Sequence, residues 1–289
     1  MKKKNIGVFL LVIMMIAVIA GCSSSSKEKV KLAYVAWDSE IASTYVVKEV
    51  LETKLGATVE MLQVDAGPMW AGVADGSADG MVAAWLPSTH AAYLEKYGAK
   101  IEDLGANLNG TKVGLAVPAY MDINSIEDLK NSDLAAKLNN RIIGIEPGAG
   151  IMTTTEKAIA EYDLSDYTLL ESSSAAMAQE LQKAYDNNEP IVVTGWTPHW
   201  MFANMDLKYL EDPKGVYGAD EQIHTMVRQG LKDDMPNVYK FLDQFEWTAE
   251  DMAKVMIEVQ GGKSPEEAAK TWVESNPDKV NAWVAGIEL

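Results

Sequence analysis

The sequence predicts an α/β protein of two related lobes, each a mostly parallel sheet flanked by helices. Short apolar, β-branched runs alternate with stretches whose apolar residues fall at helical spacing, an order that folds as β-α-β units. The pattern occurs twice. "KLAYVAWDSEIAST" and "AGPMWAGVADGSADGMVAAWLPSTH" in the first half answer to "RIIGIEPGAGIMTTT" and "SAAMAQELQKAYDNNEPIVVTGWTPHW" in the second. In each half a late apolar run ends in Trp-x-Pro, at Trp85-Leu86-Pro87 and at Trp196-Thr197-Pro198.

The chain opens with Lys2, Lys3 and Lys4, then an apolar stretch from Ile6 to Ala20. These have the charge and length of a signal peptide over residues 1–21. Ile19-Ala20-Gly21-Cys22 is a lipobox pattern: cleavage before Cys22, then lipid on its sulfur and its new amino group. The alternative is an uncleaved anchor helix with an incidental cysteine, but the apolar run is short of the ~20 residues a span needs. Either way the rest of the chain is expected outside a bacterial cytoplasmic membrane. Cys22 is the only cysteine, so no disulfide forms and the fold must rest on its core. Residues 22–29, with Ser23–Ser26 and Lys27-Glu28-Lys29, read as a flexible lipidated tether.

Beyond the tether, "VKLAYVA", "ATVEMLQV" and "GMVAAW" read as short buried strands. "STYVVKEVLETKLG" between the first two has apolar residues at helical spacing and Gly56 as its stop signal. Residues 119–140 join the halves, and Asn124-Ser125-Ile126-Glu127-Asp128 resembles a capped helix start. From Pro236 onward the chain is helical: "TAEDMAKVMIEVQGG" and "SPEEAAKTWVES" each open on a cap residue followed by early acids.

A net charge of −17 argues against nucleic acid and anionic lipid headgroups as partners and draws cations toward any cleft. The sequence offers no Gly-x-Ser-x-Gly elbow, no His-Glu-x-x-His and no cysteine beyond the anchor. No catalytic residue, metal or cofactor is therefore predicted.

Ligands of such sheets bind beyond the carboxyl ends of the strands. Trp37, Trp85 and Trp196 stand at such ends, from both lobes, facing a shared cleft. Indole faces carry negative quadrupole charge, so three of them suit a cation that lacks hydrogen-bond donors, such as a quaternary ammonium. The plainer alternative is core packing. Trp70, Trp200, Trp247, Trp272 and Trp283 lie in helix-like contexts and read as structural, although "GPMW" can place Trp70 at a helix start near the cleft. "EPGAGIMTTT" puts Gly148 and Gly150 before a helix, where the N–H groups of Gly150 and Ile151 are free to meet an anion. The loop is too short for a phosphate cradle and suits one carboxylate; the alternative is that the glycines only make the turn. His90 in "WLPSTH" and His199 in "WTPHW" are similarly placed, and the repeat does not choose between them. His224 sits on a strand-like run and reads as structural.

"LAYVAWDSEIAST", "GPMW", "AWLPSTH", "GIEPGAGIM" and "TGWTPHWMF" closely resemble the glycine betaine-binding lipoproteins of Gram-positive osmoprotectant ABC importers, over nearly the whole chain after Cys22. The resemblance implies a two-lobed, type II periplasmic-binding-protein-like fold that closes on a betaine in the interlobe cleft. By it, Trp37, Trp85 and Trp196 hold the trimethylammonium head, and Gly150, Ile151 and His90 hold the carboxylate. It implies glycine betaine, and more broadly proline betaine, as ligand. The implied partners are an ABC permease and ATPase complex, and the implied location is the extracellular face of the cell membrane. In some relatives the "GIEPG" half comes first; here the order is swapped. The lobes are expected over 30–115 and 116–225, crossing near 113–120 and 222–229, with helices in 226–289 returning to the first lobe. The same scaffold tuned to choline or carnitine is the runner-up. A lipid-anchored enzyme acting on quaternary amines and a purely structural surface lipoprotein are the alternatives from other classes.

Overall fold

β1 (Lys29–Tyr34) runs into α1 (Asp38–Thr53) with Trp37 at the helix N-cap, its backbone extended at φ −87° and ψ 142°. The helix starts at Asp38, and Asp38 and Glu40 place acid in the first turn, where the helix dipole favours it. Gly56, at φ 69°, turns the chain into β2 (Thr58–Gln63). There follow α2 (Ala66–Asp75), β3 (Gly80–Leu86, buried throughout), α3 (Ala91–Tyr97) and the long β4 (Ile101–Pro118). The coordinates are a computed structural model, and the structure describes residues 28–288. The predicted signal peptide, Cys22 and nearly all of the tether lie outside the described residues.

The second half repeats the scheme. After a short 3₁₀ turn at Ile126–Lys130, started by a reciprocal Ser125–Asp128 capping box, come α4 (Ser132–Lys137), β5 (Arg141–Ile143) and α5 (Gly150–Glu161). β6 (Thr168–Leu170), α6 (Ser174–Asp186), β7 (Val193–Thr197), α7 (Trp200–Asn204), β8 (Leu207–Tyr209) and β9 (Glu221–Arg228) follow. The chain ends in α8 (Leu231–Asp234), α9 (Pro236–Gln244), α10 (Ala249–Gln260), α11 (Pro265–Ser275) and α12 (Pro277–Trp283). Thr248 and Ser264 form capping boxes with Asp251 and Glu267 at the starts of α10 and α11.

In the first sheet β2, β1 and β3 are parallel, and β9 and then β4 add antiparallel. In the second, β7, β5 and β6 are parallel and β4 adds antiparallel beside β7 and β8. The sheets are thus mixed, with a parallel core in each lobe. β4 serves both: residues up to Thr111 pair with β9, and from Lys112 onward with β7 and β8. Glycines at positive φ, Gly105 and Gly110, accompany its register shifts, which let one strand bend from one sheet into the next. Pairing therefore changes sheet between Thr111 and Lys112 and is back in the first sheet from Glu221. The expected divisions at 115/116 and 225/226 each fall inside a strand. An apolar run such as "VGLAVP" announces a strand but not which neighbour it pairs with.

α10 and α11 pack against α1. Beneath them Trp272 stacks on Trp283 with ring centroids 5.5 Å apart, and Trp247 meets Trp272 edge-on at 5.7 Å. These three indoles are core. Among the described residues no helix is long and apolar enough to cross a membrane.

In the first sheet the buried Asp79 accepts from Arg228 Nε at 2.7 Å and from the Lys31 backbone N–H at 2.8 Å. Removing one partner of such a pair strands the other. Asp79→Ala is expected to cost about 3 kcal/mol of stability, read by urea denaturation.

Candidate functional site

The loops at the carboxyl ends of the two parallel cores face each other. β3 ends in Trp85, Leu86 and a cis Pro87; β7 ends in Trp196, Thr197 and a cis Pro198. Between them and the starts of α1 and α5 lies a cavity with about 290 Å³ of empty space. Trp37, Trp85 and Trp196 line it, Val113 and Ile145 add apolar wall, and Thr89 with the Ala149–Ile151 segment completes it. All three indoles are more than nine-tenths buried.

Each indole N–H is already used. Trp85 Nε1 donates to Glu40 Oε1 at 2.8 Å, Trp196 Nε1 to Ser39 Oγ at 3.2 Å, and Trp37 Nε1 to Glu146 Oε1. The rings are locked by their edges, and what they offer the cavity is apolar and π surface. Burial pushes the Glu40 carboxyl up to about 8, against the pull of hydrogen bonds from Trp85, Ser43 and Ser39. Burial likewise raises Glu146, partly offset by Trp37.

The opposite wall is the start of α5. Met152 and Thr153 N–H close onto the Ala149 carbonyl, and among the described residues no acceptor meets the N–H of Gly150 or Ile151. No acid stands in the first turn of this helix, in contrast to α1. Gly150 is required by space: a Cβ there would stand 2.1 Å from the Thr89 carbonyl oxygen. Gly148 holds φ at 87°, and its carbonyl accepts from Tyr93 Oη at 2.7 Å.

The two histidines, equivalent by repeat, differ in their partners. His199 Nδ1 caps α7 by accepting from the Met201 N–H at 3.2 Å, and its Nε2 lies 3.4 Å from Asp38 Oδ2. His90 Nδ1 accepts from the Trp85 N–H at 3.1 Å, which puts its proton on Nε2, and that buried nitrogen meets no protein partner. Burial pushes His90 down to about 3, so it is a neutral donor. It packs 5.8 Å from both Trp37 and Trp70, and it is not itself among the residues lining the cavity. Trp70 is fully buried and outside the lining. His224 sits on β9 and meets Asp103 at 2.9 Å.

Several site residues carry no sequence signal of that role. In sequence, Asp38 and Ser39 are residues that favour a helix start and nothing more. In the structure Asp38 accepts from Ser174 Oγ at 2.8 Å and Trp200 Nε1 at 2.9 Å, both from the other lobe. Burial raises its carboxyl, but His199, Ser174 and Trp200 together bring it below its usual value. Trp200, read as structural, is therefore part of the junction between the lobes. Glu221, at the start of β9, accepts from the N–H groups of Ser88 and Thr89 at 2.6 and 2.7 Å and so fixes the loop between Trp85 and His90. The pairing of Trp85 with Pro87 was legible; what holds the loop was not.

Two lobes around a cleft cavity, with aromatic faces on one side and bare helix N–H groups on the other, define a solute-binding protein. Residues 28–275 match the family described as the substrate binding domain of ABC-type glycine betaine transport system (OpuAC), and the chain belongs to that family. It is 58% identical over 158 residues to the glycine betaine/carnitine transport binding protein GbuC of Listeria monocytogenes, over 54% of this chain and 53% of that one. The match thus spans about half the length of that relative. The crystal structure of lactococcal OpuAC in its closed, liganded conformation with glycine betaine is similar at TM-score 0.84 and 48% identity, over 89% of this chain and all of that one. The glycine/betaine/L-proline-binding protein ProX of Borrelia burgdorferi is similar at TM-score 0.86 and 38% identity, over 90% of this chain and 97% of that one.

His90 and Glu40 give the fold opposite pH responses. His90 falls from an ordinary 6.5 to about 3 on folding, so between those values only the unfolded chain binds its proton, and stability is lost as pH falls. Glu40 rises from an ordinary 4.5 to about 8, so the folded chain holds a proton that the unfolded chain releases, and stability is lost as pH rises through that window. From pH 6.5 to 8 only the Glu40 effect of the two remains. Thermal unfolding of the unliganded protein is expected to show Tm falling across that interval, and Glu40→Gln to flatten the fall.

Proposed function

We propose that this chain captures glycine betaine outside the cytoplasmic membrane and delivers it to an ABC permease and ATPase complex. One observation carries this reading: three indole faces and two unpartnered helix N–H groups line one cavity. A trimethylammonium head has no strong donor to give, so π faces serve it better than hydrogen-bond acceptors do. Its carboxylate end meets the N–H groups of Gly150 and Ile151 at the positive end of α5, with His90 Nε2–H as a third donor. The names of the relatives support the choice of solute. The carnitine in the name of the Listeria relative makes that zwitterion, with the same head and a longer span to its carboxylate, the second ligand to titrate.

Capture and closure are linked. The ligand touches both lobes only when they are together, and that differential contact is what favours the closed form. The hydrogen bonds of Asp38 with Ser174 and Trp200, and of Tyr93 with Gly148, hold that form. In this reading lipid on Cys22 keeps the lobes near the permease, and the segment after it serves as the tether.

Tryptophan fluorescence titration of the chain without residues 1–21 tests the ligand directly, since a cation among three indoles perturbs their emission. Trp37→Ala, Trp85→Ala and Trp196→Ala are each expected to weaken betaine binding by ~1–3 kcal/mol, from the lost cation–π contact and lost burial. Phenylalanine at the same positions costs less, because a π face remains. An alanine variant that folds and binds normally removes that ring from the cage.

Choline carries the same head without the carboxylate and leaves the α5 donors unpaired. Unpaired buried donors cost ~1–3 kcal/mol, so choline is expected to bind at least about tenfold more weakly than glycine betaine. Equal affinity for the two would sink the carboxylate site.

A further inference from the structure

Glu40 is out of place on stability grounds. It is fully buried in the first turn of α1, one carboxylate oxygen accepts from Trp85, and the other meets no partner. No charged side chain bears on it; burial and the hydrogen bonds of Trp85, Ser43 and Ser39 account for its state. A glutamine would accept the same indole N–H without a buried, half-satisfied acid. Glu146 repeats the arrangement from the other lobe: it accepts from Trp37 Nε1, and the one charged group bearing on it is Asp65, a like charge. Two of the three indoles that face the cavity thus end in a carboxylate, and the third ends in a neutral hydroxyl, that of Ser39. Once Glu40 gives up its proton, above about 8, the site gathers negative charge behind its aromatic walls and pairs it with no cation of its own.

We propose that Glu40 and Glu146 are positioning residues that make the cage select a positive charge, each acting through the indole N–H it accepts. The inference rests on the reading that a quaternary ammonium occupies the cavity. An indole is positive at its edge and negative on its face. A carboxylate at the edge polarises the ring so that its face becomes more negative, and its own field reaches the cavity through a medium that screens poorly. The ligand's cation is then the missing partner of two ionised carboxylates, one buried and one half-buried. A cage of the same shape without them fits the same head but loses part of its preference for charge.

The test uses a pair of ligands that differ only in that charge: glycine betaine and 3,3-dimethylbutanoate, in which a neutral carbon replaces the ammonium nitrogen. Affinities are measured by calorimetry at pH 9, above the value of about 8 for Glu40, so that its carboxyl is ionised. Competition against glycine betaine covers the weaker ligand. In Glu40→Gln and Glu146→Gln the betaine affinity is expected to fall roughly three- to tenfold while that of 3,3-dimethylbutanoate stays level, so the preference shrinks by the same factor. Ser39→Ala, which removes a hydrogen bond but no charge, should weaken both ligands alike. If the glutamine variants weaken both ligands equally, the carboxylates only brace the rings and the inference is overturned. Should Glu40→Gln not fold, Glu146→Gln, at a half-buried position, decides alone. Failure of the unmutated protein to bind betaine overturns the proposed function, and this inference with it. Binding by the unmutated protein with a preference that survives in a folded glutamine variant overturns this inference only.

Discussion

The Asp38 carboxylate sits where the two lobes meet, and the shape of the site depends on it. Taking a carboxylate out of water costs several kcal/mol unless donors replace the lost hydration. Here the donors are Ser174 and Trp200 of the opposite lobe, with His199 beside them. Without the other lobe, Asp38 would face water instead. The residues around it are tied by the same geometry: Trp37 is the N-cap of the helix Asp38 begins, Ser39 holds Trp196, and Glu40 holds Trp85. One helical turn thereby orients all three cage indoles, directly or through its own cap. A shift of that turn would misplace every ring at once.

The two halves share a scaffold and differ where their helices begin. α1 starts with acids, so its positive end is satisfied from within its own sequence. α5 starts with Gly150 and carries no acid in its first turn, so its positive end is left for something else. The cavity is therefore two-sided: aromatic faces of Trp37, Trp85 and Trp196 on one side, bare N–H groups at the start of α5 on the other. That arrangement fits a short zwitterion with its cationic head against the rings, and it arises from a local sequence difference between two otherwise matching strand–turn–helix units.

The repeated histidines follow the same logic of divergence. Both use Nδ1 to accept a backbone N–H near a Trp-x-Pro turn. His199 then turns its other nitrogen to Asp38 and becomes part of the lobe junction, whereas His90 keeps a buried donor without a protein partner. One copy of the motif thus stands beside a carboxylate of the lobe junction, and on the other no charged group bears.

By itself the sequence determined the α/β class, the two-fold repeat, the strand ends that carry Trp37, Trp85 and Trp196, and the glycine turn before α5. All of these are local: hydrophobic period, cap residues and turn residues within about ten positions of one another. It placed the rings in one cleft because parallel strands deliver their carboxyl ends to one edge. Only the tertiary structure decided which side chains hold the rings, which histidine stands beside Asp38, that Trp200 belongs to the junction, and that β4 changes sheet between Thr111 and Lys112. These rest on contacts between distant residues: Trp200 and Asp38 are 162 positions apart, Trp196 and Ser39 157. An aspartate after a strand looks the same in sequence whether it faces water or another lobe; the packing of that lobe makes it a half-buried acceptor.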